Sequence, residues 1–232
     1  MDDVLLNAPR LSREEALELA TTFYGIEGDG KPLPSERDQN YLLQTATGER
    51  FVLKIANSSD DRALLEAQNA ALAHVARRTT LCPRVVPCLD GSAIAEVTLR
   101  SGEHHFVRLL TWVPGAPLGS VPDHSPELLA DLGRKVAELD GALGGFDHPG
   151  IHRDLYWDLA RGLPIVRELA PLVEDAAMRA LVTRIADRVE ARDAPHFGRL
   201  RRAAVHNDPN DYNVLVSDLP PDGGSDKDQK AL

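Results

Sequence analysis

Apolar residues recur at two different spacings along the chain, and the change from one to the other marks its organisation. Ala16, Leu19, Ala20 and Phe23 recur at helical spacing behind Ser12-Arg13-Glu14-Glu15, a capping-box pattern in which serine and glutamate each satisfy a free helix-end amide. A helix is predicted from there to about Tyr24, ended by Gly25. Gly28-Asp29-Gly30-Lys31-Pro32-Leu33-Pro34 carries too many breakers for a regular element and reads as a loop. Tyr41–Gln44 and Arg50–Ile55, around Ala46-Thr47-Gly48-Glu49, read as a β-hairpin. Asp60–Arg78, rich in Ala and Leu and free of Gly and Pro, predicts a helix of about five turns that Pro83 and Pro87 close off. A second hairpin, Ala93–Leu99 and His105–Val113, turns around Ser101-Gly102.

Beyond Pro114-Gly115-Ala116-Pro117 the texture becomes helical, with Pro126–Leu143 and Ile165–Ala191 as the long segments. Pro126 suits a first turn, where its missing amide costs nothing. A small sheet with a helix on it, a Pro/Gly hinge and a helical remainder predict a two-lobed α+β fold. Residues 1–110 are the expected N-lobe, 111–117 the hinge, and 118–232 a helical C-lobe that includes a polar loop at 204–216.

Composition changes this picture little: 43% hydrophobic and 27% charged residues are ordinary for a globular chain. The longest apolar runs, such as Phe51-Val52-Leu53 and Val214-Leu215-Val216, fall far short of the roughly 20 residues of a membrane helix. The acidic start Met1-Asp2-Asp3 lacks the basic and apolar regions of a secretory signal, so the cytoplasm is the expected compartment. A net charge of −10 weighs against sequence-independent nucleic-acid binding and suits a cationic small molecule better. Cys82 and Cys88 are too few for a zinc tetrahedron and are expected to be reduced structural thiols.

The sharpest segment for chemistry is Ala203-Ala204-Val205-His206-Asn207-Asp208-Pro209-Asn210-Asp211-Tyr212-Asn213-Val214-Leu215-Val216, a polar cluster between apolar flanks. Asp208 and Asn213 stand five residues apart. A loop curling back over that distance brings a carboxylate base to a hydroxyl and an amide oxygen to a metal, the pair phosphoryl transfer uses. The competing reading is an Asx-rich turn between strands. Lys54 stands alone in an apolar strand, either on the exposed face of the hairpin or aimed into a cleft to meet an anion. Glu66, between Ala63 and Ala70 on the following helix, is placed to take a partner from the sheet.

Val52-Leu53-Lys54, Glu66, the Pro114-Gly115 hinge and His206-x-Asp208-x-x-x-x-Asn213 resemble, in order and spacing, the aminoglycoside phosphotransferase/choline kinase family, which shares the protein-kinase-like fold. Ser35-Glu36-Arg37-Asp38-Gln39-Asn40-Tyr41 and Asn210-Asp211-Tyr212-Asn213 look most like its hydroxylysine kinase branch. The resemblance implies a kinase that moves the γ-phosphoryl of ATP or GTP, with Mg²⁺, to a hydroxyl of an amino-bearing metabolite: hydroxylysine-like, ethanolamine, choline, homoserine or an aminoglycoside. It implies that Asp208 is the catalytic base, that Asn213 holds Mg²⁺, and that Lys54 meets the α- and β-phosphates with Glu66 fixing its ammonium. The loop from Ser35 through Arg37 to Asp38 would cover the phosphates, the backbone near Thr111 and Val113 would bind the adenine edge, and His206 would orient the loop. The family has Gly between the His and the Asp; Asn207 stands there, a residue that tolerates positive φ.

The resemblance also implies a further metal-binding Asp after an apolar strand. Past Val216 the chain offers Asp218, Asp222, Asp226 and Asp228, none of them behind such a run. The expectation is a C-lobe truncated at its C-terminus, with further domains beyond it in the full-length protein. The alternative is a catalytically silent nucleotide-binding module of a larger protein. His152-Arg153-Asp154-Leu155 spells a kinase catalytic tetrapeptide, but Leu159 stands where an Asn is needed; Arg153, Asp154 and Asp158 are left as substrate-side candidates. Neighbours His104 and His105 would point to opposite faces of a strand and make no metal site. The Gly25, Gly28 and Gly30 spacing follows a helix and matches no dinucleotide fingerprint.

Overall fold

Helix α1 (Arg13–Tyr24) starts on the predicted capping box: the Ser12 hydroxyl accepts from the Glu15 amide, and the Glu15 carboxylate accepts from the Ser12 amide. Gly25 ends it in the left-handed region at φ 66°. The computed structural model describes residues 8–35, 37–99, 102–153, 155, 158–217 and 230–231. Two units emerge, Met1–Ile151 with Ala204–Leu232, and His152–Ala203.

The segment expected to be a loop after α1 is a strand, β1 (Gly28–Leu33), antiparallel to β2 (Gln39–Thr45). Its glycines are what allow the pairing: a Cβ on Gly28 would lie 2.1 Å from the Gln44 carbonyl oxygen. Pro32 is tolerated because β1 is the edge of the sheet, where one side of the strand needs no donors. The strand order is β1-β2-β3-β6-β4, with β3 at Arg50–Ile55, β4 at Val85–Val86 and β6 at His104–Thr111; β5 (Ala95–Thr98) also pairs with β6. The dipeptide strand β4 lies between prolines that masked it in the sequence.

In the central pair Leu53 faces Leu109, Lys54 faces Arg108 and Ile55 faces Val107. Alternation then sorts the side chains. Tyr41, Leu43, Leu53, Ile55, Val107 and Leu109 form the core with Ala16, Ala20 and Tyr24 of α1. Phe106, Lys54 and Arg108 take the opposite face. Helix α2 (Arg62–Val75) covers part of that second face, packing Leu65 against Ala56, Ile94 and Phe106.

Helix α2 is held from its other side as well. The 3₁₀ turn Pro149–Ile151 lies on it so closely that a Cβ on Gly150 would stand 2.3 Å from the Ala63 carbonyl oxygen and 3.0 Å from the Ala67 methyl. Past its end, Arg78 donates to the carbonyls of Ala142 and Gly144, and Thr79 donates to Glu138 at 2.6 Å. These contacts tie α2 to α3 (Pro126–Ala142), whose N-terminus is capped by Ser125 with proline in the first turn. Strand β7 (Ala116–Pro117) pairs with β8 (Leu215–Ser217), and β8 with β9 (Lys230–Ala231).

In the His152–Ala203 unit the single long helix expected over Ile165–Ala191 is broken into α4 (Gly162–Leu169) and α5 (Ala176–Arg192). The break is a 3₁₀ turn at Ala170–Leu172, centred on Pro171, which has no amide to continue the helical ladder. Arg167 of α4 joins the two by ion pairs to Asp187 and Glu190. The short helix α6 (Ala194–Phe197) follows. Among the described residues no helix is long and apolar enough to cross a membrane.

The Gly150 contact sets a test. Gly150→Val is expected to lower stability by about 1–3 kcal/mol through overpacking against α2. Gly133→Ala, at an exposed position inside α3 with nothing within 4 Å of the new Cβ, is expected to raise it by about 0.5–1 kcal/mol. Urea denaturation midpoints measured side by side check both signs.

Candidate active site

Lys54 reaches the site from the middle of β3, between the fully buried Leu53 and Ile55. Its ammonium donates to Asn40 Oδ1 at 3.1 Å and stands 3.5 Å from Asp38 Oδ2. Burial pushes its pKa below the ordinary lysine value; Asp38 offsets part of that shift and nearby Arg108 adds to it. Glu66, the partner expected from the sequence, is turned elsewhere and pairs with Arg62 one helical turn earlier at 2.9 Å. Arg62 also pairs with Glu96 and lies over the Phe106 ring. The small residues around Glu66 receive the Gly150 turn instead of the lysine.

Ser35 and Arg37 are exposed in the segment leading into β2. The Arg37 guanidinium pairs with Asp60 at 2.9 Å, and its carbonyl accepts from the side-chain amide of the fully buried Asn57. This end of the segment is therefore anchored on the turn before α2. Glu36 lies outside the described residues. In the segment expected to be the hinge, Thr111 exchanges bonds with Arg84, its amide donating to the Arg84 carbonyl and its hydroxyl accepting from the Arg84 amide. Val113 is half-buried one residue before Pro114.

The polar loop is stitched directly to the chain behind the hinge. Leu118 donates to the Val214 carbonyl and Gly119 to the Asp211 carbonyl, both at 2.9 Å. Gly115, at φ 142°, runs so close to β8 that a Cβ would be 3.0 Å from both Leu215 Cβ and the Val216 carbonyl oxygen. Val214 and Val216 are buried with Leu118 and Leu128. The other flank differs from the sequence expectation: Val205 is half exposed, and that end is held by the Asp140 carboxylate accepting from the His206 amide at 3.2 Å.

Inside the loop Asn207 adopts φ 66°, the only non-glycine residue at positive φ among those described. The turn it makes lets the Asp208 amide donate to His206 Nδ1 at 3.4 Å. The Asp208 carboxylate then accepts from Asn213 Nδ2 at 2.8 Å on one oxygen and from Asn210 Nδ2 at 2.9 Å on the other. Asn213 Nδ2 also donates to the Asp208 carbonyl, so the nitrogen of this amide is committed within the loop. Asn210 in turn accepts from the amides of Tyr212 and Asn213 through its side-chain oxygen.

The five-residue spacing closes with Asp208 and Asn213 in contact at an exposed surface. Asn40, Asp38 and Arg108 were missed as parts of the lysine's surroundings. The signal was present, because residues two apart on one strand, and opposite each other across a pair, share a face. Elsewhere, His104 is exposed beside Thr98, while His105 is buried and bonds Ala56 O through Nδ1. Asp158 caps the 3₁₀ turn Leu159–Arg161. Asp154, Asp218, Asp222, Asp226 and Asp228 lie outside the described residues.

Asn207 supplies a local test. Asn207→Gly is expected to leave the loop intact, whereas Asn207→Val, strained by about 1–2 kcal/mol at positive φ, should open it. Amide hydrogen exchange over residues 207–213 is the readout, faster in the valine variant and unchanged in the glycine variant.

Comparison with known proteins gives the family and the fold. The model of APH, the phosphotransferase enzyme family, matches residues 29–224. Hydroxylysine kinase of Xenopus laevis is 30% identical over 226 residues, covering 90% of this chain and 60% of that protein. The hydroxylysine kinase of Danio rerio is 28% identical over 227 residues, covering 94% and 62%. The chain therefore spans about three fifths of the length of the curated relatives it matches. Among solved structures, a microcompartment-associated aminopropanol kinase superposes with a TM-score of 0.69 at 21% identity, over 91% of this chain and 66% of that one. A spectinomycin phosphotransferase solved with ADP and spectinomycin gives 0.60 at 13% identity, over 90% and 66%. The fold is thus the α+β fold of protein-kinase-like phosphotransferases, and with most of its length matched by the family model the chain belongs to the phosphotransferase enzyme family.

Proposed function

We propose that this chain carries the nucleotide site and catalytic loop of a small-molecule kinase. The reaction read here moves the γ-phosphoryl of ATP, or GTP, to a hydroxyl of an amino-bearing metabolite. A hydroxylysine-like acceptor leads, because the curated relatives named above are hydroxylysine kinases; ethanolamine, choline, homoserine and aminoglycosides are the other acceptors to test. The observation that carries the reading is the Asp208–Asn213 contact within a loop bonded to the residues behind the hinge.

The residue roles are those that the family resemblance implies, placed on the geometry described above. The acceptor oxygen attacks the γ-phosphorus, the bond to the β,γ-bridging oxygen breaks, and the hydroxyl proton passes to Asp208. Two side-chain amides on separate oxygens aim the Asp208 carboxylate, so positioning is built in before substrate arrives. Lys54 meets the α- and β-phosphates, with Asp38 as its carboxylate neighbour in place of Glu66. The Ser35–Arg37 segment covers the phosphates and the Thr111–Val113 backbone receives the adenine edge. The Asn213 amide oxygen, a hard neutral donor whose nitrogen is already committed to Asp208, fits Mg²⁺. When bound, the ion neutralises phosphate charge.

Two measurements on the full-length protein test this. Asp208→Asn is expected to lower kcat by about 10²–10⁴-fold and to leave nucleotide affinity nearly unchanged, in an assay of ADP release with amino alcohols. Retained turnover removes Asp208 as base, and intact nucleotide binding with no turnover on any acceptor favours a silent binding module. The depressed pKa of Lys54 sets the pH dependence. Nucleotide affinity should fall as pH rises through that value, earlier than for a lysine titrating at 10.5. The ligand-free fold should gain stability across the same window, because there the unfolded chain holds the proton that the folded chain has lost.

A further inference from the structure

Arg108 is the residue in the nucleotide-site face that the reading above leaves without a role. It stands directly across the β3–β6 pair from Lys54 and is 4% exposed. Its guanidinium donates to Asn69 Oδ1 at 3.0 Å and Gln68 Oε1 at 2.7 Å, both on α2. Among the described residues no carboxylate lies within ion-pair distance of it. A buried guanidinium is ordinarily matched by a carboxylate, because an unneutralised buried charge is costly. In a chain with 36 acidic residues, two neutral amides at this position preserve the positive charge.

The groups that face Lys54 complete the account. Asp38 and Asn40 approach from the segment entering β2 and from β2 itself. Asp60 approaches from the turn before α2 and is bound to Arg37; Arg108 approaches from β6. Helix α2 contributes only the amides on Arg108, since Glu66 is taken by Arg62. The lysine therefore has a cation on one side and a carboxylate on the other.

We propose that Arg108 is the positioning residue of the nucleotide site, docking α2 through Gln68 and Asn69 and, as the cation opposite Lys54, holding the lysine ammonium on the Asp38 side to meet a phosphate. This inference rests on the kinase reading above. Arg108 takes over the link between helix and sheet that the sequence had assigned to a Lys54–Glu66 pair, and it does so without neutralising the site. Three cations, Lys54, Arg108 and Arg37, with two carboxylates, Asp38 and Asp60, leave the face short of negative charge, which a polyphosphate supplies. The lowered pKa of Lys54, to which Arg108 contributes, agrees with this arrangement.

The test is titration of the full-length protein with a non-hydrolysable ATP analogue from pH 7 to 10.5, comparing Arg108→Met, Arg108→Lys and Gln68→Glu with wild type. Arg108→Met is expected to weaken binding about tenfold and to move the alkaline loss of affinity to higher pH by roughly half a unit or more. Gln68→Glu, which neutralises Arg108 and keeps it, should move that limb in the same direction. Arg108→Lys should weaken binding and leave the limb close to wild type, because it keeps charge and loses the fork that docks α2. An arginine that serves only stability would lower the unfolding midpoint with the limb unmoved; that outcome in folded Arg108→Met and Gln68→Glu proteins overturns the inference. If Arg108→Met does not fold, the Gln68→Glu limb decides alone. A wild-type protein that binds no nucleotide overturns the kinase reading and this inference with it.

Discussion

The antiparallel pairing of β3 with β6 divides this protein into a face that stabilises it and a face that carries Lys54 and Arg108. Leu53, Ile55, Val107 and Leu109 are all fully buried against α1 on one side of that pair. The residues between them, Lys54 and Arg108, emerge on the other side. A slip of one residue in the register would exchange the two sets and place cations in the core. The apolar alternation that drives folding is thus the same feature that delivers the lysine to its site.

The Asp208–Asn213 loop depends on a second constraint, close backbone approach. Gly115 lets β7 lie against β8, and the amides of Leu118 and Gly119 bond into the loop itself. With one end sewn to the hinge side and the other held by Asp140, Asn207 has only to reverse the chain for Asp208 and Asn213 to meet. The same economy of small residues appears at Gly150, whose contact with Ala63 and Ala67 fixes α2 on the sheet. A helix clamped on one side by a glycine turn and on the other by a buried arginine has little freedom to swing.

Much of this was legible in the residues. The Ser12 capping box, the end of α1 at Gly25 and the proline start of α3 are local signals, satisfied within one turn of chain. The two hairpins and the Asp208–Asn213 spacing were equally readable, since strand alternation and loop closure act over a few residues. One failed reading was local, since Pro171 breaks the helix expected over Ile165–Ala191; in two others a partner distant in sequence decided the outcome. The glycine-rich segment 28–33 became an edge strand because β2 offered it a ladder. Glu66 pairs with Arg62 rather than Lys54, and the residues of this helix that bond Arg108 of the sheet are Gln68 and Asn69.

The sequence by itself determined the helices at Ser12 and Pro126, the two hairpins with their apolar faces, and which loop holds the carboxylate and the amide. These follow from periodicity, capping and short-range spacing. Only the tertiary structure decided which partners the long charged side chains take, because Lys54, Arg62, Glu66 and Arg108 each reach several acceptors. Packing settles which of those acceptors stands above the sheet and which is left facing solvent.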